Sequence, residues 1–283
     1  MNYLVISPYY PQNFQQFTIE LANKGITVLG IGQEPYEQLD EPLRNSLTEY
    51  FRVDNLENVD EVKRAAAFLF YKHGPIDRIE SHNEYWLELD ATLREQFNVF
   101  GAKPEDLKKT KFKSEMKKLF KKAGVPVVPG AVIKTEADVD QAVKEIGLPM
   151  IAKPDNGVGA AATFKLETED DINHFKAEWD HSTIYFFEKF VTSSEICTFD
   201  GLVDKDGKIV FSTTFDYAYT PLDLMIYKMD NSYYVLKDMD PKLRKYGEAI
   251  VKEFGMKERF FHIEFFREGD DYIAIEYNNR PAG

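Results

Sequence analysis

The chain has 283 residues, 43% of them hydrophobic, which is enough for one large or two ordinary domains with packed cores. Its net charge of -13 argues against generic attraction to nucleic acid or to an anionic membrane surface, and no run of about 18 apolar residues offers a membrane span. The N-terminus MNYLVISPYY has no basic region ahead of a long apolar stretch, and a single cysteine, Cys197, excludes an intramolecular disulfide, so the expected location is the cytoplasm. Between Ile196 and Thr198, that thiol reads as buried filler rather than as a nucleophile.

In chain order, residues 3–7 (YLVIS) and 27–32 (TVLGIG) predict buried strands separated by a helix through Phe14, Phe17, Ile19 and Leu21, a β-α-β opening. A third strand near Arg78 to Ser81, a helix from Glu84 to Gln96 and the apolar Val99-Phe100-Gly101 extend this into a small parallel α/β domain ending at about residue 102. The segment Ser7-Pro8-Tyr9-Tyr10-Pro11 stands where a GxGxxG turn would sit, which argues against NAD or FAD in this half.

Residues 103–122 hold nine lysines among three acids. Phe112, Met116, Leu119, Phe120 and Ala123 follow helical spacing, so the segment predicts an amphipathic helix whose lysines coat the wet side, one of them available to an anion. No aromatic residues interleave the basic face, which argues against nucleic acid. Ala123-Gly124-Val125-Pro126 stops the helix, and Val127 to Val132 is extended. A helix from Thr135 to Ile146, with Thr135 as its cap, precedes the break Gly147-Leu148-Pro149 and the short strand Met150 to Pro154.

The loop Asp155 to Thr163 is rich in small residues, so its amides can approach an anion that Lys153 also reaches; an ordinary turn is the plainer alternative. The strand Ile184 to Val191 is apolar except for Glu188 and Lys189, and Glu195 opens another strand-like run. Edge-strand charges that discourage aggregation would explain those residues equally well.

The apolar runs FFHIEFF and DYIAIEYNN predict a hairpin centred near Asp270, which sets Glu264 opposite Glu276 at roughly 4.5 to 5.5 Å between Cβ atoms. A period of 2 puts His262, Glu264, Phe266, Ala274, Glu276, Asn278 and Arg280 on one face, and Phe261, Ile263, Phe265, Ile273, Ile275 and Tyr277 on the other. Paired carboxylates beside an amide oxygen suit a hard cation such as Mg²⁺, completed by water and phosphate; a solvated sheet face is the alternative.

Taken in order, FKSEMKKLFKKAGVPVVPG, LPMIAKPDNGVGAAAT, YFFEKFV with Glu195 beyond it, HIEFF and IEYNNRPAG resemble the ATP-grasp superfamily, which includes the ATP-binding halves of carbamoyl-phosphate synthases and biotin carboxylases. The resemblance covers nearly the whole chain. It implies an α/β (α+β) fold: a Rossmann-like pre-ATP-grasp domain over residues 1–102, then an ATP-grasp domain over 103–283 with a lid subdomain at about 125–190. Relatives continue beyond the position of Gly283, so the C-terminal part is expected to be incomplete and the outer strand of the hairpin poorly supported.

For particular residues, the resemblance implies that Lys113 and Lys153 contact the ATP phosphates, with the remaining lysines on the surface, and that Gly157 and Gly159 belong to a mobile loop closing over the phosphates. Alanines 160 to 162, where relatives carry more glycine or serine, would stiffen that loop. Glu188 would accept from the adenine amino group, the backbone of Lys189, Phe190 and Val191 would read the ring edge, Glu195 would hold the ribose, and Ile151 and Phe266 would sandwich the base. Glu264, Glu276 and Asn278 would bind Mg²⁺, or Mn²⁺ in its place. Arg280, with Lys153, would serve the transferred phosphoryl group. The implied activity is an ADP-forming carboxylate-amine ligase acting on small molecules through an acyl phosphate, with neither nucleic acid nor membrane as partner; a homodimer is compatible with it. Carbamoyl-phosphate-synthase-like or biotin-carboxylase-like chemistry, or a non-catalytic ATP-binding module, are the alternatives.

Overall fold

The computed structural model describes residues 1–156, 162–192, 195–219, 228, 230 and 232–282. The chain divides into two units, Met1–Leu107 and Lys108–Ala282. In the first, strands β1 (Asn2–Ile6), β2 (Thr27–Gly32), β3 (Glu49–Arg52) and β4 (Arg78–Glu80) form a parallel sheet in the order β3-β2-β1-β4. The accompanying helices are α1 (Gln15–Asn23), α2 (Glu41–Ser46), α3 (Val59–His73) and α4 (Leu87–Gln96). Leu4 and Ile6 join Leu29, Ile31 and the Val62, Ala65, Ala66 and Leu69 stripe of α3 in one core, while Val5 joins Val28, Leu39 and Leu43 in another. A strand buried on both faces reads as a continuous apolar run, which is why YLVIS was legible.

Sequence patterning passed over β3 and α3. The first is a short, half-exposed strand with charged ends, and much of the buried stripe of the second is alanine. Val99-Phe100-Gly101 forms no strand. Val99 is buried, and the turn wraps Arg94, whose guanidinium is 1% exposed, donates twice to the Ile79 carbonyl and pairs with Glu80 at 2.9 Å.

The lysine-rich segment opens the second unit as two helices, α5 (Lys108–Lys111) and α6 (Lys113–Lys122), broken at the extended Phe112. Beyond it, β5 (Gly130–Ile133), β6 (Met150–Pro154), β7 (Phe164–Leu166) and β8 (Tyr185–Lys189) form an antiparallel sheet in the order β5-β8-β6-β7. Helices α7 (Glu136–Ile146) and α8 (Glu169–Glu178) both begin in capping boxes, Thr135 with Asp138 and Thr168 with Asp171, so the Thr135 cap forms as expected. Their core contains Val139, Ala142, Ala152, Phe175 and Phe187. Because β8 is interior to this sheet, Glu188 and Lys189 are not edge-strand charges.

The larger sheet has the order β12-β11-β9-β13-β14, with β10 on β9. Its strands are β9 (Ile196–Val203), β10 (Ile209–Thr213), β11 (Phe215–Tyr217), β12 (Tyr233–Val235), β13 (Arg259–Glu268) and β14 (Asp271–Asn278). Helix α6 and the Pro241–Phe254 helix cover one side: Phe254 stacks on Tyr277 with centroids 4.2 Å apart and contacts Phe120 at 5.6 Å.

Two expectations about the hairpin need correction. The pairing of Glu264 with Glu276 is present, but the register shifts immediately afterwards, so Phe265 pairs with Ala274 and Ile275 is the extra residue of a bulge. A slip of one exchanges faces, so Ala274 and Tyr272 lie buried with Phe265, and Ile273 pairs with Phe266. The outer strand is also supported. Ala274 N donates to the Pro126 carbonyl at 2.9 Å, Tyr277 N to Met116 Sδ at 3.1 Å, and Lys117 Nζ reaches the Ala274 carbonyl at 3.0 Å.

Candidate active site

The start of α6 is held by Asp155, from the turn after β6. Its carboxylate accepts from Ser114 N at 2.8 Å and Ser114 Oγ at 2.7 Å, and its carbonyl accepts from Lys113 N at 2.8 Å. Asp155 thus acts as a helix cap supplied from 41 residues away, and it places an anion at the positive end of the helix. Sequence patterning missed it because a cap is normally sought next to its helix.

Lys113 is 7% exposed, and its Nζ lies 3.5 Å from Glu276 Oε1. One turn further along α6, Lys117 is 5% exposed and pairs with Glu188 Oε1 at 2.8 Å, while Lys153 stands 3.7 Å from Glu188 Oε2. Lys117 therefore contradicts the expectation that the other lysines of this helix are surface. Burial alone would raise the Glu188 carboxyl, but the ammonium groups of Lys117 and Lys153 outweigh it and hold the group below the usual carboxylate range.

On the larger sheet, Glu264 lies directly opposite Glu276, and His262 opposite Asn278. Burial would raise the Glu264 carboxyl, yet His262, Arg280 and Lys153 together keep it low. His262 is 2% exposed, with Nδ1 2.6 Å from Asp200 Oδ1 and Nε2 3.0 Å from Glu264 Oε1. Although burial opposes its charge, the two carboxylates prevail and push the imidazole up to about 9. The donors offered by Glu264, Glu276 and Asn278 are hard oxygens. Among the described residues no group of three or more His, Cys, Asp or Glu converges as a protein-only metal cage. Such a donor set fits a cation whose remaining positions are filled by phosphate and water.

The structure thus draws Lys113, Lys153, Glu188, Glu264, Glu276 and Arg280 into one electrostatic neighbourhood. The Glu195 side chain is 67% exposed and approaches Arg267 at 3.8 Å. Lys189 Nζ donates to the Gly147 and Leu148 carbonyls, and the Lys189 and Phe190 amides donate to the Pro129 and Pro149 carbonyls. Ile151 pairs across β6 and β8 with Glu188, and Phe266 pairs with Ile273 and Ile196. Gly157 and Gly159, with Ala160 and Ala161, lie outside the described residues. Cys197 is 1% exposed, and burial pushes its thiol up to about 12, as suits filler.

A small antiparallel sheet and a larger one, both contributing to a single lysine and carboxylate cluster and preceded by a parallel α/β unit, make up the ATP-grasp fold. Residues 112–281, more than half of the chain, match the carbamoyl-phosphate synthase L chain, ATP binding domain, and the chain belongs to that family. It is 25% identical over 217 residues to an L-arginine-specific L-amino acid ligase of Bacillus subtilis, covering 72% of this chain and 51% of that protein. The chain therefore spans about half the length of this relative.

Among solved structures, the L-amino acid ligase from Bacillus licheniformis superposes with a TM-score of 0.75 at 15% identity, covering 99% of this chain and 66% of that one. The biotin carboxylase domain of the Hydrogenobacter thermophilus 2-oxoglutarate carboxylase, crystallised with MgADP, ADP and bicarbonate, gives 0.72 at 18% identity, covering 99% and 64%. Among the described residues, no helix is long and apolar enough to cross a membrane.

Proposed function

We propose that the chain binds Mg-ATP on the lysine and carboxylate cluster of its second unit and activates a small-molecule carboxylate as an acyl phosphate, which an amine then attacks with release of phosphate. The observation that carries this reading is the direct opposition of Glu264 and Glu276 on β13 and β14, with Lys113 within 3.5 Å of one of them. Two like charges so placed favour binding of a cation, and the lysines favour a polyanion next to it.

In this reading Glu264, Glu276 and Asn278 hold Mg²⁺, whose chemistry is to neutralise charge on the phosphate oxygens. Lys113 and Lys153 steady the triphosphate, and Arg280 balances the charge that develops during transfer. Glu188, kept ionised by its two lysines, accepts from the adenine amino group. The Lys189 and Phe190 amides are already used within the protein, so the ring edge is read by the Val191 amide and the carbonyls of that segment. Ile151 and Phe266 flank the base, and Glu195 takes the ribose if it turns away from Arg267.

The test is phosphate release from Mg-ATP by the full chain across panels of amino acids and of bicarbonate. Release that depends on an amino-acid pair is expected. Release with bicarbonate alone would favour carboxylation instead, and nucleotide binding without release under any acceptor would point to a binding module. Glu276→Gln should lower turnover on the order of 100-fold or more and weaken Mg-ATP binding, while the exposed Lys108→Ala should change neither. An unaltered Glu276→Gln protein would overturn the assignment.

A further inference from the structure

The cluster contains one group whose position the proposed chemistry does not require. Among the described residues the His262 ring makes two hydrogen-bonding contacts, both to carboxylates, and it is the link between them. Asp200, 4% exposed, takes Nδ1 with one oxygen and the Thr198 hydroxyl with the other. Thr198, fully buried, accepts in turn from the Phe215 amide of β11 at 3.1 Å. The chain of contacts thus runs from a backbone amide through Thr198, Asp200 and His262 to Glu264 Oε1.

Strand register explains how these four side chains meet. On β9 and β13, Asp200 pairs with His262 and Thr198 pairs with Glu264, so the four residues share one face of the sheet and the two pairs are adjacent along the strands. A network of this kind is costly to bury, and in proteins generally apolar residues of similar volume often replace one without loss of stability. Among the described residues the network ends on Glu264, the carboxylate opposite Glu276.

The geometry points to His262, oriented by Asp200, as a positioning residue that holds one oxygen of Glu264 and leaves the other directed to a divalent cation bound with nucleotide, resting on the Mg-ATP reading above. His262 touches neither substrate nor cation in this scheme; it acts through Glu264. Partners of this kind behind a liganding side chain are worth about 10- to 100-fold in metal affinity.

Two substitutions separate the contacts. His262→Asn keeps a donor near the Nδ1 position, facing Asp200, and removes the one facing Glu264; His262→Gln keeps a donor near the Nε2 position. The measurement is the affinity of the full chain for ATP by calorimetry, with Mg²⁺ titrated and again in excess EDTA, alongside a thermal melt.

The expected result is that His262→Asn weakens the apparent Mg²⁺ affinity about 10- to 100-fold with EDTA affinity within about twofold, and that His262→Gln recovers part of the loss. Asp200→Asn should produce an intermediate loss. A folded His262→Asn protein with wild-type Mg²⁺ dependence would overturn this inference and leave the Mg-ATP reading standing. An equal fall in EDTA would also overturn it, by showing general damage to the nucleotide site. A wild-type protein whose nucleotide binding ignores Mg²⁺ would overturn both.

Discussion

Lys117 Nζ stands 2.8 Å from Glu188 Oε1, and their side chains are 6% and 5% exposed. The same ammonium reaches the Ala274 carbonyl on β14, so one lysine of α6 ties the small sheet to the outer strand of the large one. Burying two charges gains little net stability, but breaking such a pair leaves the surviving charge in a poor solvent.

Lys117→Met is therefore expected to destabilise the protein by about 3 kcal/mol, the low end of the range for a broken buried pair because Lys153 still faces Glu188. Adding Glu188→Leu should recover much of that loss, since it removes the stranded carboxylate. Urea denaturation of the two variants decides it, and a double variant no more stable than the single one would sink the argument.

Asp155 offers a second handle on the site. Asp155→Ala deletes the cap at Ser114 and should cost about 0.5 to 2 kcal/mol. Because Lys113 begins that same helix, nucleotide binding should weaken as well, and a melt compared with a nucleotide titration checks both. Loss of stability with untouched binding would show that the cap does not steady Lys113.

Cys197 should be inert in the folded protein. With burial pushing its thiol up to about 12, the thiolate fraction at pH 8 is about 1 in 10,000. Iodoacetamide is expected to label it only after denaturation, as read by intact mass; rapid labelling of native protein would contradict its burial.

In the first unit, a hydrogen bond from Lys72, assisted by His73, holds Glu49 below its ordinary value of 4.5. A carboxyl depressed on folding stabilises the protein above its unfolded pKa, and that contribution is lost as pH falls through the folded value. Glu49→Gln should thus lower stability at neutral pH by at most about 1 kcal/mol, with the difference closing in acid. A gap between the two melting curves that widens as the pH is lowered would refute this.

The parts of the fold that patterning revealed are those written in local periodicity. YLVIS is buried on both faces, Thr135 sits next to the helix it caps, and the runs around Asp270 alternate, so the pairing of Glu264 with Glu276 is legible in the sequence. The faces of Ile273 and Ala274 were not, because a single bulged residue leaves composition and alternation almost unchanged while inverting everything beyond it. Lys117 was hidden for another reason. In a segment with nine lysines the burial of one depends on which acid faces it, and Glu188 lies 71 positions away.

Sequence alone determined the Thr135 helix, the strands that carry Lys153 and Glu188, the opposed carboxylates and the family resemblance, since each rests on residues close together or on motifs in a fixed order. Tertiary structure decided which lysine is buried, that Asp155 caps α6, that β14 is supported along its outer edge, and that Asp200 and His262 stand behind Glu264. Apart from the His262 contact with Glu264, two positions along one strand, these relations join residues 41 to 161 positions apart. Short-range patterns cannot encode them, because they arise only when packing brings separate elements together and an unpartnered charge or amide would otherwise be buried.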